Sequence, residues 1–263
     1  MSDAKLFLAN CTLPEVEEHL RRSAKVIVPV GATEQHGPHA PFGTDWILST
    51  EASVRLARRI DALVAPALSY GVSGDHRGYA GIPFLSASTM SALVQDLVTS
   101  LAEGGFREII LVNGHYTNTI ALHAAVMEVG HLLPKGTIVF PFNYWDALPP
   151  EQLEEYLGAR VGLHANVGET SAVMAVDESL VDLDKALREY PDFPTEPTPA
   201  MVSAYFFSAR GTLPRASRSG VWGDPTASSA ELGRRYLDQI EEACVRFVAE
   251  VEALFEAFPE RDG

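Results

Sequence analysis

The sequence predicts an α/β protein, a three-layer α/β/α sandwich around a mostly parallel central sheet, and three observations lead there. Short β-branched runs alternate with longer segments of helical apolar spacing, the order that parallel strands with helical crossovers require. Of 263 residues, 46% are hydrophobic and 21% charged, the balance of a folded chain with a large core. No linker separates the early strands, and no internal repeat or low-complexity tract is present, so residues 1–263 are expected to form one domain.

The elements follow in order. "KVIVPVG", starting at Lys25, is the first strand. "DWILSTEASVRLARRI" reads as a helix, with Ile47, Leu48, Val54, Leu56 and Ile60 interleaved with polar positions, and "ALVAPAL" as a second strand. "SASTMSALVQDLVTSLAEGGF" starts at a Ser/Thr-rich cap and stops at Gly104 and Gly105, marking a second crossover helix. The strand "EIILVNG", the helix "NTIALHAAVMEVGHLL" and the strand "GTIVFPFNYW" come next. Beyond Trp145 the pattern loosens: "ALPPEQLEEYLGARVG" and "GETSAVMAVDESLV" read as helices. Residues 190–199, "YPDFPTEPTP", cannot be regular helix and read as a surface excursion, an interface arm or an active-site lid. "SAELGRRYLDQIEEACVRFVAEVEALFEAF" closes the chain as a long amphipathic helix.

Composition excludes whole classes of partner. A net charge of −15 leaves no basic surface for nucleic acid or an anionic membrane. No apolar run approaches the roughly 18 residues of a membrane span, and the N-terminus lacks a signal-peptide pattern, so the reducing cytoplasm is the expected location. Cys11 and Cys244, far apart in sequence, are expected to be free thiols and not a disulfide or a thiolate metal site.

In open parallel sheets ligands bind beyond the carboxyl ends of the strands, and the chemistry-bearing residues gather there. "GATEQHGPHAPFGTDW", residues 31–46, puts Glu34, His36, His39 and Asp45 after the first strand. Asp75 and His76 follow the second, and Asn113-Gly114-His115-Tyr116 ends the third, where Gly114 is read as permitting a tight turn. Glu34 and His36, two apart in an extended segment, face one side. Oxygen and nitrogen donors without sulfur suit Zn²⁺, Mn²⁺ or Fe²⁺, and several carboxylates allow a bridged pair of ions. His19, His123 and His131 fall in helical patterns and read as ordinary side chains. The serines near glycine lack the G-x-S-x-G spacing and the glycines lack a nucleotide-binding arrangement.

"GATEQHG" after a strand, the following Asp, "LVNGHYTN", "GETSAVM" and "GVWGDPTASSAELG" together resemble the creatininase family of metal-dependent amidohydrolases over most of the chain. The resemblance implies hydrolysis of a non-peptide C–N bond in a small molecule, a cyclic amide or a formamide foremost. It also implies two divalent metal ions per chain and a homo-oligomer, often a hexamer. The family it resembles also includes members acting on small peptides and on a carbocyclic ketone, so C–C hydrolysis is the alternative reaction.

By similarity, Glu34, Asp45 and His115 match one metal site, and His36 with the shared Asp45 matches the second. In creatininase a Glu two residues beyond the His of Asn-Gly-His completes the second site; Thr117 stands there in this chain. Glu169 is therefore expected to complete it, the competing explanation being a helix-start carboxylate favoured by the helix dipole. His164 matches a family His that shuttles a proton, and with Glu169 forms the expected catalytic pair. Tyr116 and Trp145 match aromatic pocket positions, with core packing as the ordinary alternative, and His76 joins them as a substrate-binding candidate. Arg160 stands where a second pocket aromatic is expected and suits an anionic or polyhydroxylated substrate better than creatinine. The implied mechanism is attack by a hydroxide bridging the ions, with His164 protonating the leaving nitrogen. A metal-binding protein without turnover is the rival reading, suggested by Thr117.

Overall fold

The apolar runs pair edge to edge in the computed structural model, which describes residues 3–158, 162–193, 195 and 197–258. Helix α1 (Leu13–Arg22) leads into strand β1 (Lys25–Val30), helix α2 (Thr44–Ile60), strand β2 (Leu63–Val64), helix α3 (Ala87–Glu103), strand β3 (Glu108–Asn113), helix α4 (Thr119–Val129) and strand β4 (Ile138–Asn143). Helices α5 (Pro150–Leu157), α6 (Val167–Asp177), α7 (Pro199–Phe206), α8 (Leu213–Ala216) and α9 (Ala230–Ala257) follow. The sheet runs in the order β2-β1-β3-β4, every pair parallel, with Val26 beside both Leu63 and Ile109.

Strand alternation divides the core into two faces. Ile27, Ile110, Val112, Phe140 and Phe142 pack with α2, α6 and α9. Val26, Val28, Val30, Ile109 and Leu111 pack with α3 and α4, and α1 adds Val16 and Leu20. The three-layer α/β sandwich expected from the sequence is the observed one.

The order of connections decides where a ligand can sit. From β1 the chain crosses by α2 on one face to β2; it then returns by α3 on the other face to β3 and moves outward by α4 to β4. One crossover hand requires the helices to change face when the direction reverses. The reversal opens a crevice beyond the carboxyl ends of β1 and β3.

Several boundaries depart from the sequence reading. The second strand, expected over "ALVAPAL", is only Leu63–Val64. Pro66 has no N–H for the ladder, so the chain leaves the sheet and touches it again at Leu68, which bonds Pro29 O at 2.9 Å. The last predicted strand stops at Asn143 and turns through Tyr144–Ala147 in a 3₁₀ helix. Helices α1, α7 and α8 were not anticipated, although α1 carries a capping box between Thr12 and Glu15. Of the proline-rich stretch, Pro194 and Glu196 lie outside the described residues, and α7 begins at Pro199. Among the described residues no helix is long and apolar enough to cross a membrane.

Candidate metal centre

Two glycines set the geometry of the crevice. A Cβ on Gly31 would stand 2.4 Å from Trp46 Cα, and one on Gly114 would stand 2.4 Å from the Asp45 carbonyl oxygen. Their absence lets the first turn of α2 lie directly on the ends of β1 and β3. Gly114 is not among the residues with positive φ, so close approach and not a tight turn is what requires it. Asn113 then fixes the loop after β3: its Oδ1 accepts from His115 N at 3.1 Å, and its Nδ2 donates to His115 O at 2.6 Å.

Asp45, in that first turn, and His115 consequently meet Glu34. His115 Nδ1 is 3.2 Å from Glu34 Oε1 and 3.2 Å from Asp45 Oδ2. On the other side of Asp45, His36 Nε2 is 3.1 Å from Oδ1, without hydrogen-bond alignment. Three triads have ligand atoms within 4.8 Å of one another: Glu34–Asp45–His115, His36–Asp45–Glu169 and Glu34–His36–His164. The first two, which share Asp45, are the sets drawn from the resemblance; the third was not anticipated.

All these side chains but Glu169, which is half-buried, are buried, and their electrostatics are extreme. Burial alone would raise Glu34, but the imidazoles of His115 and His76 overcome it and hold its carboxyl down to about 2. Burial opposes ionisation of Asp45 too, and His36 and His115 hold it well below the usual carboxylate range. Asp45 in turn overcomes the desolvation of His36 and carries it up to about 9. Glu169 is different: burial dominates and pushes it up to about 7. Glu34 Oε2, Asp45 Oδ2 and His36 Nε2 are buried without a hydrogen-bond partner. Charged oxygens left unpaired in the interior are costly, and a divalent cation among oxygen and nitrogen donors compensates that cost. The residues fit such an ion.

Thr117 lies beside the cluster. Its hydroxyl donates to Val72 O at 2.7 Å and is 2.6 Å from His115 Nε2, so it accepts from that nitrogen. The contact keeps a proton on Nε2 and turns Nδ1 to the two carboxylates, the orientation that a ligating imidazole takes from its outer partners. Asp75 Oδ1 stands 3.3 Å from the same hydroxyl.

Glu169 satisfies both explanations raised by the sequence. It closes a capping box at the start of α6, with its N–H on Asn166 Oδ1 at 2.9 Å and Oε2 accepting from Asn166 N at 3.3 Å. It also belongs to the second triad. His164 Nε2 donates to Gln35 O at 2.6 Å, leaving Nδ1 3.9 Å from Glu34 Oε1. Burial and then the neighbouring His36 and His76 depress its pKa well below the usual value, so it is neutral.

Two residues here escaped the sequence reading. The Gln35 amide nitrogen donates to Gly220 O at 3.2 Å and to His76 Nδ1 at 3.4 Å, tying its own loop to two others. Ala165 has φ 52°, a left-handed conformation that costs on the order of 1 kcal/mol or more and sets His164 against the floor while Asn166 caps α6. Neither residue type announces such a role.

A cavity of about 280 Å³ opens above the cluster, and Tyr116, Trp145 and His76 line it with Glu34, Asp45, His115, His164 and Glu169. His76 Nε2 is 3.2 Å from Glu34 Oε1. Pro197 and Pro199 reach the cavity, so the proline-rich stretch is partly a wall and not only surface. His39 stands apart, its Nε2 2.9 Å from Thr170 Oγ1. Arg160 lies outside the described residues.

Known proteins resemble the chain over nearly its whole length. Residues 9–248 match the family model Creatininase, described as creatinine amidohydrolase. Creatinine amidohydrolase of Pseudomonas putida is 33% identical, over 97% of this chain and 98% of its own length. The mycofactocin precursor peptide peptidase of Mycobacterium tuberculosis (strain CDC 1551 / Oshkosh) is 30% identical over 86% of this chain and 85% of its own. A solved structure designated creatininase Mn superposes with a TM-score of 0.77 at 29% identity, over 97% and 99% of the two chains.

Proposed function

The chain belongs to the creatininase family of hydrolases, and from that premise we propose that it cleaves a non-peptide C–N bond, in a cyclic amide or formamide of small size, with a pair of divalent ions. The observation that carries the reading is the two triads sharing Asp45 at the floor of one cavity. Glu34, Asp45 and His115 would hold one ion and His36, Asp45 and Glu169 the other; zinc, manganese and iron(II) fit these donors. Bound there, such ions supply Lewis acidity to a substrate carbonyl and to an attacking water.

The chain's own groups supply the proton handling. His164 is neutral, with Nε2 committed to Gln35 O and Nδ1 free to accept. It takes a proton at Nδ1 before it can return one to the leaving nitrogen, so it acts first as base and then as acid. Glu169 would be kept ionised by the second ion, which leaves the proton handling to His164.

A peptide bond is the second reading, favoured by the peptidase among the relatives. Binding without turnover is disfavoured by the third donor that Glu169 offers beside His36 and Asp45. The test combines metal counting with hydrolysis of lactams, formamides, cyclic ureas and short peptides by zinc- and manganese-loaded protein. About two ions per chain and metal-dependent cleavage of an amide are expected; full activity after metal stripping would falsify the mechanism. The homo-oligomer implied by family is tested by light scattering, where a monomer removes it.

A further inference from the structure

Half of the cavity is not used by the metal chemistry. Its wall is apolar: Trp145 after β4, Leu157 at the end of α5, Val202 and Phe206 one turn apart on α7, Leu213 at the start of α8, and Trp222. Leu213 and Trp222 are 0% and 2% exposed and pack with Val202 and Phe206 in one apolar cluster beside the cavity. Trp222 is also tied to the proton-handling residue, pairing with the His164 backbone at 3.1 and 2.9 Å. Phe206 sits in an aromatic row, its ring centroid 5.6 Å from Trp222 and 6.4 Å from Tyr116.

Charge sharpens the selection. Among the described residues no Lys or Arg lines the cavity, whereas Glu34, Asp45, Asp75, Asp146 and Glu169 do. With Glu34, Asp45 and Glu169 committed to the ions, an anionic or polyhydroxylated substituent beside the scissile bond meets the apolar row, where it would lose its water against groups that cannot hydrogen-bond. The described walls therefore favour a class other than the one Arg160 suggested.

We propose that the substrate is a neutral amide bearing an aromatic or branched aliphatic group next to the scissile bond, with Phe206 and Val202 as specificity-determining residues; this rests on the hydrolase reading above. The carbonyl faces the acid–imidazole floor and the apolar group lies in the Phe206–Trp222 row. One apolar group more or less in such a pocket changes selectivity by roughly 10- to 200-fold.

A matched set of lactams tests it: 2-pyrrolidinone, its 5-phenyl derivative, its 5-hydroxymethyl derivative and its 5-carboxylate. Binding to the zinc-loaded enzyme is read from the fluorescence of Trp145 and Trp222, and turnover is read separately. The 5-phenyl ring is expected to bind about 10- to 100-fold tighter than the unsubstituted one, and the carboxylate weakest. Phe206→Ala should erase most of the preference for the phenyl lactam over the unsubstituted one with metal content unchanged; Val202→Ala serves as the second variant if Phe206→Ala does not fold. Equal or tighter binding of the carboxylate or hydroxymethyl lactam overturns the proposal. Selective phenyl binding with no amide cleaved at full metal content sinks the hydrolase reading and leaves only an apolar binding subsite at Phe206 and Val202, whereas preferred cleavage of the carboxylate upholds the hydrolase reading and overturns this proposal.

Discussion

The two ends of the same sheet both crowd ionisable side chains, and they settle the crowding in opposite ways. At the amino end Lys25, the first residue of β1, bonds Glu252 of α9 and lies 3.1 Å from Glu108 of β3, while Arg22 clasps Asp61 at 2.6 and 2.8 Å. The surplus acid there, Glu108, is pushed up to about 7 by burial and by its hydrogen bond with Glu252, so the cluster balances itself by keeping a proton. At the carboxyl end Glu34 and Asp45 stay charged and line a cavity, each with an oxygen lacking a partner; Glu108 also has a partnerless oxygen, Oε1, but does not line that cavity. Crowded charge is thus not the mark of a site; charge left open toward a space that a ligand can enter is.

The sharpest way to break this contrast is to remove the carboxylate common to both triads. Asp45→Asn is expected to lower kcat by about 1000-fold or more and to cost at least one bound ion, read by steady-state kinetics and elemental analysis. Lys25→Met, at the amino end, should leave kcat within about twofold. Comparable losses from both would remove the distinction between the ends. Chelation comes next: an ion held at about 1000 times its Kd contributes about 4 kcal/mol, which for a chain of this size is a fall in Tm of roughly 8–16 °C. An unchanged melting curve in chelator would mean that the open oxygens of Glu34 and Asp45 hold no cation.

Thr117→Val sharpens the contrast from one shell further out. Without the hydroxyl, His115 Nε2 loses its 2.6 Å partner and keeps only the longer contacts to Val72 O and Ser73 Oγ at 3.4 Å, which hold the imidazole less firmly. Metal affinity should fall by about 10- to 100-fold, measured by competition with a chelating dye, and Thr117→Ser should restore it. Equal affinity in all three proteins would reduce Thr117 to packing.

How far the sequence reached follows from the same physics. β1, β3 and β4 were legible because a strand buried on both faces is written as an apolar run, whereas β2 was overread because Pro66 ends its ladder and local composition hides it. Glu34, His36, Asp45 and His115 stood out because ligand-type residues at strand ends need a reason. Glu169 and His164 came only through the resemblance; they begin a helix far along the chain, and no spacing rule links them to Glu34. The apolar wall was invisible for another cause: Val202, Phe206 and Trp222 read as core until a cavity is seen against them. Helix α7 was nevertheless signalled by Thr198, whose side chain caps Met201, followed by Pro199.

The smallest effect belongs to the amino end and tests whether its balance is a proton. Glu108, with an ordinary value of 4.5 unfolded, is raised to about 7 in the fold. Between those values the folded chain keeps a proton that the unfolded chain releases, so stability falls as pH rises across that window and is level above it. The low value of Glu252 acts only below its ordinary 4.5, outside the window. Glu108→Gln holds the neutral form permanently, so its Tm should decline less than the wild type from pH 5 to 7 and exceed it above pH 7. Solvent screens part of this cluster, which limits the gain to roughly 2–4 °C. Activity should be unchanged within about twofold, because Glu108 lies at the opposite end of β3 from His115. Parallel Tm curves for the two proteins from pH 5 to 8 would show Glu108 charged in the fold, and the two ends of the sheet would then no longer differ in how they hold buried acid.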